Sequence, residues 1–167
     1  MSRARKLLIF GGLLLAAFGM LYGLHYALFV EHQTLDEMGA SLTEGFVAAA
    51  ERQPAASSRA IDRYAQTKYV YVRQVDVHSH WVGLGMLLIV LGAVFEDVGF
   101  AESVCLRIAI MLLSGAAIFP LGVLLQTAMR GPLPSVLAIG GAALVTSGLI
   151  LTAIGIARKP GPRDARH

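Results

Sequence analysis

Four apolar runs dominate the chain, at residues 7–30, 77–95, 104–129 and 133–157. Each is at or above the length of about 18 residues that marks a membrane-crossing helix. The stretch between the first two follows another pattern. Thr34-Leu35-Asp36-Glu37 has the Thr-x-x-Glu form of a capping box. Leu35, Met38, Leu42, Phe46 and Ala49 then recur every three or four positions, which predicts an amphipathic helix. Pro54 and the run Ala55-Ala56-Ser57-Ser58 end it. A second polar helix is predicted to start near Ser58, with Ile61, Tyr64, Lys68, Val72 and Val75 on one face, and to feed into the second span. Tyr69-Val70-Tyr71-Val72 alternates as a strand would, but a lone strand leaves its backbone groups unpaired, so helix is the prediction. The expected fold is an all-α integral membrane protein, one domain over 1–167. Four transmembrane helices form an antiparallel bundle, and 31–76 forms an external helical cap lying on the bundle's outer ends or the lipid headgroups.

Composition agrees with this pattern: 56% of residues are hydrophobic and 15% charged, where a soluble domain has about a quarter charged. The net charge of +3 comes from tails and loops. Arg3, Arg5 and Lys6 flank the first span, and Arg158, Lys159, Arg163 and Arg166 follow the last. Basic flanks favour the cytoplasmic side, and four spans return both ends to one side. The expectation is a bacterial cytoplasmic-membrane protein with both termini cytoplasmic, although Arg52, Arg59, Arg63, Lys68 and Arg73 in the outer segment pull the other way. No basic folded face suggests nucleic-acid binding. No span carries an ionisable group at its midplane, where transporters place coupling sites. The first run is longer than a signal-peptide core and lacks a small-x-small cleavage site, so a retained helix is expected.

Gly19 and Gly23 form a small-xxx-small face that lets a neighbouring helix approach closely. Pro120 sits within the third span, where a kink is expected. Cys105, the single cysteine, has no partner for an internal disulfide. All five tyrosines and the single tryptophan, Trp81, fall on the outer side, as an interfacial belt or as pocket walls.

The candidate chemistry lies in the histidines. His25, His32, His78 and His80 all fall at the outer ends of the first two spans, while His167 ends the chain. Polar ionisable groups at such a boundary are functional candidates, and imidazole ligates haem iron, copper and zinc. On a helix His78 and His80 point about 200° apart, so one metal is hard for both to reach. The simplest single site takes one histidine from each helix. Copper or zinc would draw on Glu31, Asp36 or Asp76 as oxygen ligands and Met20 or Met38 as sulfur ligands.

Val77-His78-Ser79-His80-Trp81-Val82, followed by Met86, resembles the His-x-His-aromatic-Val stretch of a helix in the catalytic subunit of haem–copper oxidases. The likeness spans residues 77–91. It implies that His78 and His80 face two haem positions, with His80 the low-spin ligand and His25 the candidate opposite it. The chain has four spans where that family has about twelve, and it lacks the family's copper-binding histidine pair. What the resemblance carries is therefore haem binding, not oxygen reduction. Arg73, Lys68 and Arg130 lie on the same side and can pair with haem propionates.

The leading functional expectation is a small membrane metalloprotein. It would bind b-type haem through His25 and His80, with His78 and His32 as further ligands, for electron transfer, with quinol as a candidate partner, or as an accessory subunit of a respiratory complex, rather than acting as a stand-alone enzyme. The alternatives are a copper or zinc protein, and a cofactor-free interaction or assembly protein whose outer cap binds a partner; membrane-complex subunits or a homo-oligomer are the candidate partners.

Overall fold

A computed structural model describes residues 1–129 and 131–158. It is helical throughout: α1 (Arg3–Phe29), α2 (Glu31–Ala50), α3 (Pro54–Val94), a 3-10 turn (Phe95–Asp97), α4 (Glu102–Ala128) and α5 (Pro132–Arg158). α1, α3, α4 and α5 are each long and apolar enough to cross a membrane. The chain is an integral membrane protein built as a four-span helical bundle.

α3 is the longest element, at 41 residues, or about 60 Å at 1.5 Å per residue. A hydrocarbon core is about 30 Å thick. Only the C-terminal half of α3 is apolar, so its N-terminal half stands outside the membrane. α2 packs mainly against α3 and far less against α1. Within the membrane the pairing of α1 with α3 keeps one register. Ile9 lies against Gly92, Gly12 against Ile89, Gly19 against Val82 and Gly23 against His78. Beyond the membrane Glu31 meets Tyr71, and Gly45 meets Ala60. α1 and α2 thus form one broken helix, interrupted at Val30, that runs antiparallel to α3 as a long hairpin.

The segment between the first two spans is therefore helical, as the sequence suggests, but it is an arm and not a layer across the bundle ends. The helix boundaries also move. α2 starts at Glu31, so Thr34 lies inside it and makes no capping box; its hydroxyl donates to the Val30 carbonyl at 3.0 Å. α3 starts at Pro54, not near Ser58. Proline suits a first-turn position, where its missing N–H has no partner to lose. α4 runs without interruption through Pro120.

Glycine governs how closely the spans pack. On α5 the buried residues are Pro134, Ala138, Gly141, Val145, Gly148, Thr152 and Gly155. Steps of four and three alternate along that row, the repeat of a left-handed helix pair. A Cβ on Gly115 would stand 2.8 Å from the Gly141 carbonyl oxygen, and one on Gly122 would meet the Ala138 main chain. The α1·α3 pair is built alike: a Cβ on Gly85 would stand 2.7 Å from the Ala16 nitrogen. α4 packs against both α1 and α3, while α5 lies outside it, on α4 and the 3-10 turn. At that end Arg5 pairs with Glu96 at 2.9 Å, and Arg158 lies over the Phe100 ring. The start of α1 and the end of α5 therefore share one side of the membrane.

This packing separates two glycines of similar appearance in α4 and α5. Gly122→Ala should destabilise the bundle by about 1–3 kcal/mol, because main chain has to move. Gly140 has open space where its Cβ would stand, so Gly140→Ala should be neutral or stabilising, by up to about 1 kcal/mol. Denaturation in detergent, followed by circular dichroism, checks the contrast.

Candidate functional site

His78 sits in the α1·α3 seam near its outer end. Its ring lies on Gly23, where any Cβ would collide with it, and its Nδ1 is 2.8 Å from the Gly19 carbonyl oxygen. A carbonyl only accepts, so Nδ1 carries the proton and donates. Two glycines one turn apart thus supply both the space for the ring and the acceptor. His80 holds its own Nδ1 2.6 Å from the Asp76 carbonyl, one turn back on α3. Its ring stands edge-on to Phe119 of α4, with centroids 4.6 Å apart. Neither Nε2 has a hydrogen-bond partner among the described residues. Between the two histidines Trp81 is 4% exposed and packs edge-on against Phe18 and Tyr22 of α1.

His78 and His80 do point in different directions, one toward α1 and one toward α4. The expected His25–His80 pairing is not assembled. Gly23 faces α3, and His25, two residues on, lies about 200° round the helix. His80 is turned by the same angle from His78, which faces α1. His25 and His80 therefore point away from the seam on its two opposite flanks. His25 is exposed, with its ring 5.4 Å from Phe29 of its own helix. His32 is exposed on α2, 3.4 Å from Asp36. Arg73 is 3.9 Å from Asp76 and lies over the Tyr69 ring, and Lys68 lies over Tyr64. Tyr71 donates to Glu31 at 3.3 Å. Met20 is exposed toward lipid, and Met38 is half-buried on α2. Among the described residues no three His, Cys, Asp or Glu side chains gather as a metal site. Arg130 and His167 lie outside the described residues.

The arm carries a second feature, which the sequence shows only in halves. α2 touches α3 through small residues: Ser41, Gly45 and Ala48 are buried, and Ser57 donates to the Gly45 carbonyl at 3.0 Å. The stripe of Leu35, Leu42 and Phe46 lies about a quarter turn away from that contact. On α3, Ala60 faces α2, and Ile61, Lys68, Val72 and Val75 lie a similar angle away. Glu44 and Arg63 form an ion pair on one side of the arm. Both apolar stripes fall on the other side, so they make a single face. Phe46 is 72% exposed there, Ile61 53% and Leu35 45%.

The charged side of the arm looks over α4. There Ala65, Gln66, Tyr69 and Val70 enclose an open cavity of about 520 Å³ with Gln126, Thr127, Ala128 and Met129. The apolar side faces away from α4 and continues into the membrane through the exposed Met20 and Leu24 of α1 and Met86 and Val90 of α3. Comparison with protein-family models, curated proteins and solved structures finds no match to this chain.

Proposed function

We propose that the chain is a membrane-anchored interaction protein whose working surface is the apolar face of the two-helix arm, where another helical protein packs. The observation that supports this reading is the rotation of α2. Its apolar stripe is turned away from α3, because Ser41, Gly45 and Ala48 occupy the contact. An amphipathic stripe inside the bilayer is covered by lipid, but one carried out into water needs a partner. The placement of charge fits the same reading, since the Glu44–Arg63 pair lies on the opposite side of the arm. Both termini would then be cytoplasmic and the arm external, as the basic tails favour.

Single cysteines placed on the two sides of the arm test this in native membrane fragments open from both sides. A cysteine at Phe46 is expected to be protected from a water-soluble maleimide. One at Val47, on the charged side, is expected to react. Equal, rapid labelling at both positions contradicts a docked face.

A second reading, a histidine-ligated metalloprotein, is favoured by one observation. His78 and His80 each anchor Nδ1 on a main-chain carbonyl, which orients an imidazole and leaves Nε2 for a metal. Haem b is the group the local resemblance implies, for electron transfer within a respiratory complex; copper or zinc would suit the same nitrogen. With His25 and His32 placed elsewhere, the remaining ligands would come from another chain. A visible spectrum and metal analysis of protein purified from membranes supplied with haem test it. Haem absorbance lost in His80→Ala supports this reading. Protein with no haem, copper or zinc removes it and leaves the first reading untouched.

A further inference from the structure

We infer that the occupant of the arm's apolar face is a second copy of this chain, packed in parallel about a two-fold axis along the membrane normal. The inference rests on the docking reading above and names its partner. Four observations lead to it.

The first is the anchor. Every copy enters the bilayer in the same orientation, so two copies can be related only by rotation about the normal. Such a rotation brings the same patch of each chain together. The arm's face meets the geometric condition, because it is made of one stripe from α2 and one from α3, side by side. Rotation lays each α2 against the partner's α3, and the two hairpins close into a four-helix bundle with the stripes inside.

Height is the second. Within the chain, Gly45 stands level with Ala60 and Glu31 with Tyr71. A rotation about the normal changes no heights, so by the Gly45–Ala60 pairing Phe46 arrives within about 3 Å of the height of the partner's Ile61.

The third is charge. Over Glu31–Ala50, α2 carries Glu31, Asp36, Glu37 and Glu44 and no lysine or arginine. The outer half of α3 carries Arg59, Arg63, Lys68 and Arg73 against Asp62 and Asp76. The Glu44–Arg63 pair lies on the far side of the arm, so the charge that reaches the partner's acidic α2 is Lys68. Lys68, the one cation within the apolar face, comes within about a helical turn of the partner's Glu31.

The fourth is continuity. The same side of the hairpin stays exposed through the membrane, at Met20 and Leu24 of α1 and Met86 and Val90 of α3. A second copy can follow it from the bilayer to the tip of the arm. A soluble partner covers only the outer part.

The test uses the full chain with Cys105→Ala, co-expressed as two differently tagged forms, one with Phe46→Cys and one with Ile61→Cys. Oxidation of the membranes is expected to join the two tags in one disulfide-linked species. Val47→Cys in place of Phe46→Cys is expected to join none. Mass measurement in nanodiscs should give two chains for the unaltered protein and one for Phe46→Asp, with helical content kept. Protection of the Phe46→Cys thiol from maleimide, combined with no cross-link and a one-chain mass, overturns the dimer and leaves docking of a different protein. A Phe46→Cys thiol that labels freely overturns the dimer and the docking reading together.

Discussion

Two helix backbones in direct contact, with almost no side chain between them, set the geometry of this protein. Along the α1·α3 seam the small residues Gly12, Ala16, Gly19 and Gly23 face a row on α3 that includes His78, Gly85 and Gly92. In lipid there is no hydrophobic drive to bring helices together, so association depends on close van der Waals packing, which small residues permit. That contact also fixes register. A shift of α1 by one residue along α3 would set the Gly12 and Gly19 gaps against side chains they were not cut for, and the His78 ring would lose both its seat on Gly23 and its acceptor on Gly19. The second pair, α4·α5, repeats the device with Gly115, Gly122, Gly141 and Gly148.

The arm inherits this direction. Because α3 crosses the membrane boundary as one unbroken helix, the direction set inside the bilayer is carried outward, and α2 has only to continue the pairing. Its contact residues are small again, Ser41, Gly45 and Ala48. The approach is looser, since a Cβ on Gly45 would find ordinary contact at 3.5 Å from Ile61. In water an apolar stripe would ordinarily turn inward, against the partner helix. Here small residues fill that position, and the stripe is left on the flank. The arm is therefore two-sided, with ion pairs above α4 and apolar side chains away from it.

Much of this was legible in the sequence, and the limits have physical causes. The spans follow from long apolar runs. The two outer stripes, Leu35 to Ala49 and Ile61 to Val75, follow from helical periodicity. Their destination does not, because periodicity gives the direction of a stripe around its own helix and not the rotation of that helix against its neighbour. That rotation is decided by Ser41, Gly45, Ala48 and Ala60, whose small size carries little pattern. The capping box at Thr34 misled for a related reason: the helix was already under way from Glu31, and Thr34 bonds back to Val30. The opposed directions of His78 and His80 were readable from their spacing. The face of His25 was also within reach, since it stands two residues from Gly23 and the seam runs through Gly23.

α1, α2 and α3 form one hairpin that stands off the bilayer. The most direct check is the height of its tip. A spin label at Gln53→Cys, in nanodiscs whose lipids carry a paramagnetic headgroup, reports that distance. The tip is expected about 30 Å above the headgroups, the length of a 20-residue helix. A label lying within the headgroup layer would mean that the outer segment folds down onto the membrane, and would contradict the arm.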